Sequence, residues 1–174
     1  MNEVEVLAKQ TEEAYAWTNT LLHSIPYETW DQIPSVVDTS VTWQAGHLIM
    51  SIFFHSIITI TGHPAGVHQQ VPLRDYAALF TSAPPQQSLG KTKPETLQTQ
   101  LQLVEQTSLR VINGLTPDDL QRPLEPTQVP HPIAKTKFEA LNWNISHTMW
   151  HCGQLGLLKR IVHERFDFGL KLPD

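Results

Sequence analysis

The chain has one cysteine, Cys152. No internal disulfide can form, so a small disulfide-stapled scaffold is excluded and the fold must rest on a buried core. Charge is also sparse: Asp, Glu, Lys and Arg make up 17% of residues, the net charge is −5, and the basic residues are not clustered. Binding to nucleic acid needs a stripe of Lys and Arg, so no nucleic-acid partner is expected. The opening "MNEVEVLAKQTEEAYAW" is acidic and amphipathic and lacks the basic start and apolar run of a secretion signal. With the lone cysteine, this predicts a cytoplasmic location. A long uninterrupted apolar run is missing as well. The most hydrophobic stretch, 41–60, contains Thr42, Gln44, His47, Ser51, His55, Ser56 and Thr59. That is too polar for a bilayer span, so no membrane partner is expected. Period-2 alternation, internal repeats and low-complexity tracts are absent. Helices are left as the regular structure, in a single domain over 1–174 that is long enough for one substantial core.

Hydrophobic spacing predicts four long helices. Val4, Leu7, Ala14, Leu21 and Ile25, with Thr11 and Thr18 in phase, mark the first over about 3–24. The prolines of "SIPYETWDQIP" end it. A second runs over about 40–61, with Thr39 or Ser40 as N-cap and Gly62-His63-Pro64 as its stop. It is apolar on nearly every side, so it is either central or covered by a partner chain. Residues 62–93 form a long crossover with one short helix near Pro72 to Phe80. The third helix opens at Pro94 and carries Leu97, Leu101, Val104, Ser108, Val111 and Leu115 as a seam. "LTPDDLQRP" is a turn or one-turn helix. After the proline-studded "RPLEPTQVPHPIA", Thr136 and Glu139 form a capping box at the start of a fourth helix that reaches about His163. The fold class is all-α, with four helices around one core.

Nine histidines make chance pairs easy, so position has to decide which ones matter. His147 and His151 are four apart on the fourth helix, on one face, where two imidazoles can converge on an ion at about 2.0–2.1 Å each. A firm site needs a third ligand. His47, on the apolar second helix after Gly46, is the candidate; the alternative is a core histidine with an ordinary hydrogen-bond partner. Gly46 weakens a helix by about 1 kcal/mol relative to alanine, which is tolerable where a helix or ligand must approach closely. His55, eight residues further on, is turned about 80° from His47 on a regular helix and is not expected to share its ion. His131, between two prolines, is a candidate for a pocket mouth. Asn144, Gln154, Trp43 and Trp150 lie near the ligands in sequence and are pocket candidates, and Trp143 stands beside them; for the tryptophans a core role is the alternative. Cys152 is expected to be a small buried hydrophobe.

"GHL" at 46–48 and "HTMWHCGQLGLLKR" at 147–160 resemble the DinB-like superfamily, which includes the YfiT-like metal-dependent hydrolases. The order of elements resembles it too. The resemblance implies a four-helix bundle with up-down-down-up connectivity, frequent homodimers, and His47, His147 and His151 as ligands of a divalent metal ion. Cys152 departs from the Arg common at that position. Three imidazoles leave the ion its full charge, and Zn, Ni, Fe or Cu would suit them. Two activities follow for a small-molecule substrate: metal-dependent hydrolysis, or S-transfer from a low-molecular-weight thiol. Characterised relatives include thiol-dependent S-transferases and a mycothiol-dependent isomerase. Position 148 is Thr and 150 is Trp, so the H-E-x-x-H pattern of metalloproteases is not met. A third possibility is a helical protein that the metal merely holds together.

Overall fold

The computed structural model describes residues 1–169. Six helices and no strand occur among the described residues: α1 (Glu3–His23), α2 (Val41–Thr61), α3 (Leu73–Phe80), α4 (Pro94–Asn113), α5 (Pro117–Leu120) and α6 (Lys137–Val162). The four long ones pack in a ring, with α1 and α2 each lying against both α4 and α6.

Local chemistry explains the boundaries. Asn2 and Glu5 form a capping box on α1, and Thr136 and Glu139 form another on α6. Ser40 caps α2 by accepting from the backbone N–H of Trp43, at 3.2 Å. Thr39, the other cap candidate, instead accepts from the Gln44 side chain at 3.0 Å. Gly62 ends α2 at φ 73°, a left-handed conformation that favours glycine.

Two apolar clusters form the core. One gathers Leu21 and Leu22 of α1, Leu48 and Ile52 of α2, Leu97 and Leu101 of α4, and Leu155 and Leu158 of α6. The other gathers Val4 and Leu7 of α1, Ile60 of α2, Ile112 of α4, and Ala140 and Leu141 of α6. Thus α1 and α6 run from the second cluster to the first, while α2 and α4 run the opposite way. Between the clusters lies a buried polar belt that includes Thr11, Ser56, Ser108, Asn144 and Thr148. Tyr15 and Ser108 share a 2.8 Å hydrogen bond there, and Asn144 donates to the Tyr15 hydroxyl at 3.0 Å.

The α4 seam departs from strict heptad spacing at its end. Ile112 is fully buried and Val111 only half-buried, because a straight helix drifts away from a 3.5-residue repeat. The second helix differs from expectation in one respect: Phe54–Ile58 form a π turn within it. The Ser56 hydroxyl donates to the Ile52 carbonyl at 2.6 Å, and the Thr59 hydroxyl to those of Phe54 at 2.9 Å and His55 at 3.1 Å, which keeps the loosened backbone paired. α2 is long and apolar enough to cross a membrane by length and composition, but two thirds of that stretch is buried within the protein.

Candidate metal centre

His47 on α2 and His147 and His151 on α6 meet between the two antiparallel helices. One ring nitrogen from each lies within 4.8 Å of the other two. The Nε2 atoms of His147 and His151 are 3.3 Å apart. Two nitrogens bound at tetrahedral angles to one ion at about 2.0–2.1 Å would sit about 3.3 Å apart, so this spacing fits a shared cation.

The other ring nitrogens are already committed. Nδ1 of His47 donates to the Phe80 carbonyl at 2.7 Å, which leaves Nε2 as a bare acceptor. Gly46 makes this contact possible. A Cβ on residue 46 would lie 2.4–2.5 Å from the Phe80 ring, so only glycine lets α3 come close enough to present its carbonyl. Nδ1 of His151 donates to Oε1 of Gln44. Gln44 in turn gives its own amide protons to Oε1 of Gln154 at 2.7 Å and to Thr39 at 3.0 Å. Its oxygen therefore faces His151 and fixes that ring with Nε2 unprotonated. Such outer partners are what orient metal-binding imidazoles.

Burial keeps the rings neutral. His47 is held below the ordinary histidine range mainly by desolvation. Burial, reinforced by the neighbouring His47, lowers His147 to about 4. Burial and both neighbours lower His151 to about 3. His47 and His151 each keep a bare Nε2 here, and Nε2 of His147 lies 3.3 Å from that of His151. Three neutral imidazoles so gathered are a donor set that fits a divalent cation.

Aromatic rings wall the centre. Trp43 stacks on His47 at 4.7 Å and 10°, and Trp143 on His147 at 5.9 Å and 19°. Trp150 lies edge-on to Trp143 at 5.1 Å and is 58% exposed. Gln154 acts one step back, through Gln44. Asn144, a pocket candidate in the sequence, points into the polar belt and bonds Tyr15 instead. It shares an approximate side of α6 with His147, but the helix rotation between them carries it to the α1 side. Cys152 is buried against α1, with Sγ 3.3 Å from the Thr18 hydroxyl, and burial pushes its thiol up from the ordinary value.

Two contributors were not anticipated. Gln44 was visible as a polar residue one turn before His47 on an apolar helix. His55 stays off the shared ion as its spacing predicts, but it lies in the π turn and pairs with a second histidine. Its ring lies 5.5 Å from that of His147, and its Nδ1 is 2.8 Å from Nε2 of His131. It does not join the three-histidine cluster. His131 also stacks on Phe54 at 5.7 Å.

Compared with protein families, residues 10–155 match the model of the DinB superfamily. No curated protein matches the chain.

Proposed function

The chain belongs to the DinB superfamily, and from that membership and the three converging imidazoles we propose a metal-dependent enzyme that transfers a low-molecular-weight thiol to a small electrophilic molecule. The observation that carries this reading is the gathering of one ring nitrogen each from His47, His147 and His151 within 4.8 Å, with Nδ1 of His47 and of His151 engaged by Phe80 and Gln44. These residues would hold a divalent ion such as Zn, Ni or Fe. When bound, it would supply the Lewis acidity that ionises a thiol or water near neutral pH.

The protein's own groups favour thiol over water as nucleophile. No hydrogen bond or ion pair joins Asp or Glu to the three rings among the described residues. Water attack ordinarily draws on a positioned base, whereas an ionised thiol needs none. A cavity of about 440 Å³ is reached from the centre through Trp43 and Gln44; Asp38, Pro85, Gln154 and Leu157 also line it, and the three histidines do not. Its size suits a small, partly apolar substrate. Trp43 links the two, stacking on His47 while its indole N–H donates to the Ala83 carbonyl at 3.1 Å. We also propose a homodimer, supported by the exposed Met149, Trp150, Leu157 and Ile161 on α6; light scattering tests it.

The site is tested by elemental analysis of the purified protein beside His47→Ala and His151→Ala. About one divalent ion per chain in the parent, lost in both variants, is expected; equal metal in all three would overturn the site. Activity is then tested with metal-loaded protein, an electrophilic probe and a panel of thiols. Turnover that ignores thiol would replace transfer by hydrolysis. No turnover, together with a large drop in melting temperature on chelation, would indicate a purely structural ion.

A further inference from the structure

A second histidine pair stands beside the three converging rings, and its protons can be located from its partners. Nδ1 of His131 accepts backbone N–H groups from Ile133 at 3.2 Å and Ala134 at 2.8 Å. A nitrogen that accepts cannot carry the proton, so the proton of neutral His131 is on Nε2. That Nε2 lies 2.8 Å from Nδ1 of His55. The spacing is a hydrogen bond and is shorter than the roughly 3.3 Å expected of two ligands on one ion. His131 donates, Nδ1 of His55 accepts, and the proton of His55 is forced onto its Nε2.

The surroundings of His55 say where that N–H faces. The rings flanking it are His131 at 4.8 Å, Phe54 at 5.3 Å and His147 at 5.5 Å. With Nδ1 tied to His131, Nε2 is left free, and His147 is the ring of the three-histidine cluster beside it. No hydrogen bond among the described residues uses Nε2 of His55. Nor is it one of the sealed interior atoms without a partner, so it reaches accessible space. The residue itself is only 7% exposed. The structure is built to hold the pair. His55 is carried by the π turn, and π turns recur at functional sites. The His131 loop is closed at its base by the Pro123–Thr136 bridge and tied to the end of α2 by the Glu125 N–H, which donates to the Thr59 carbonyl at 2.8 Å.

We propose that His55, oriented by His131, is a fixed hydrogen-bond donor that recognises an anionic ligand at the three-histidine centre. The ligand class is a small anion or anionic head: a thiolate, a carboxylate or an inorganic pseudohalide. The inference rests on the metal reading above. His55 is the group that touches the ligand, and His131 positions it. The pair thus distinguishes anionic from neutral ligands at a centre whose other walls are aromatic.

Two measurements test this. In metal-free parent protein at neutral pH, long-range nitrogen–proton correlation spectra should find His55 and His131 both protonated on Nε2; a proton on Nδ1 of His55 would overturn the proposal whatever the metal does. In cobalt-substituted protein, sodium azide is titrated while the visible cobalt bands are followed. His55→Phe should bind azide about tenfold more weakly or worse, at unchanged cobalt content. His55→Gln, which keeps a donor, should recover part of the affinity, and His131→Phe should fall between parent and His55→Phe. Equal azide affinity in parent and His55→Phe refutes the donor role and leaves the metal site standing. Loss of cobalt in His55→Phe refutes it by making His55 a ligand. A parent that takes up no cobalt refutes both readings.

Discussion

Gln44 supplies no nitrogen to the cluster, yet it decides which nitrogen of His151 is available. Gln44→Leu should weaken metal binding about 10–100-fold, the usual cost of removing an outer partner, as read by competition with a chromophoric chelator. Gly46 controls His47 in the same indirect way. Gly46→Ala would place a methyl group inside the Phe80 ring, so α3 must retreat and take its carbonyl with it. Despite alanine's better helix propensity, the variant should lose about 1–3 kcal/mol of stability in urea and bind metal more weakly. A variant as stable as the parent would show that α3 moves freely. Both effects stem from residues outside the three-histidine cluster.

Among the elements, α2 is the one whose backbone is irregular where the chemistry lies. The Thr59 hydroxyl supports the carbonyls of both Phe54 and His55. Thr59→Val keeps the shape and removes those bonds, and should cost about 1 kcal/mol in urea unfolding. The sequence disclosed elements by their local signals. The capping box at Thr136, the proline start at Pro94 and the short helix ending at Phe80 all arise from neighbours in the chain. The triad could also be anticipated, because i,i+4 spacing puts two rings on one face and a polar ring on an apolar helix asks for a partner. The π turn could not be read, since the Ser56 and Thr59 hydroxyls that support it occur equally in regular helices. The expectation that His55 stays off the shared ion holds, but its pairing with His131 left no sign in the sequence. Asn144, which bonds Tyr15, shows that proximity along a helix does not fix a side chain's bearing. The Phe80 carbonyl is a backbone atom, for which a sequence offers no sign.

At the scale of the whole molecule, stability should depend on pH in two opposed ways. Burial lowers His55 and His151 to about 3 and His147 to about 4. Between the unfolded value, about 6.5, and these folded values the unfolded chain binds more protons. The stabilisation these rings provide is therefore complete above about pH 6.5 and is lost as pH falls toward 4. Glu105 acts with the opposite sign. Burial between α1 and α4 raises it to about 8, against a hydrogen bond from Asn19 that lowers it. The folded state then binds the extra proton, so stability is fullest below the unfolded carboxyl range and declines as pH rises through 8. The metal-free protein should be most resistant to urea near pH 6–7. Glu105→Gln, which mimics the protonated form, should abolish the alkaline decline and leave the acid limb intact. An unchanged alkaline limb would mean that Glu105 finds a cation or water in the folded protein.

The π turn also has a bearing on descent. A regular helix that loses one residue rotates everything beyond the gap by about 100°, which a buried segment rarely survives. The Phe54–Ile58 segment already contains a surplus residue, so a one-residue deletion there would restore ordinary pairing up to Gly62. Such a shortened chain should keep its helical circular dichroism while its azide affinity falls to that of His55→Phe.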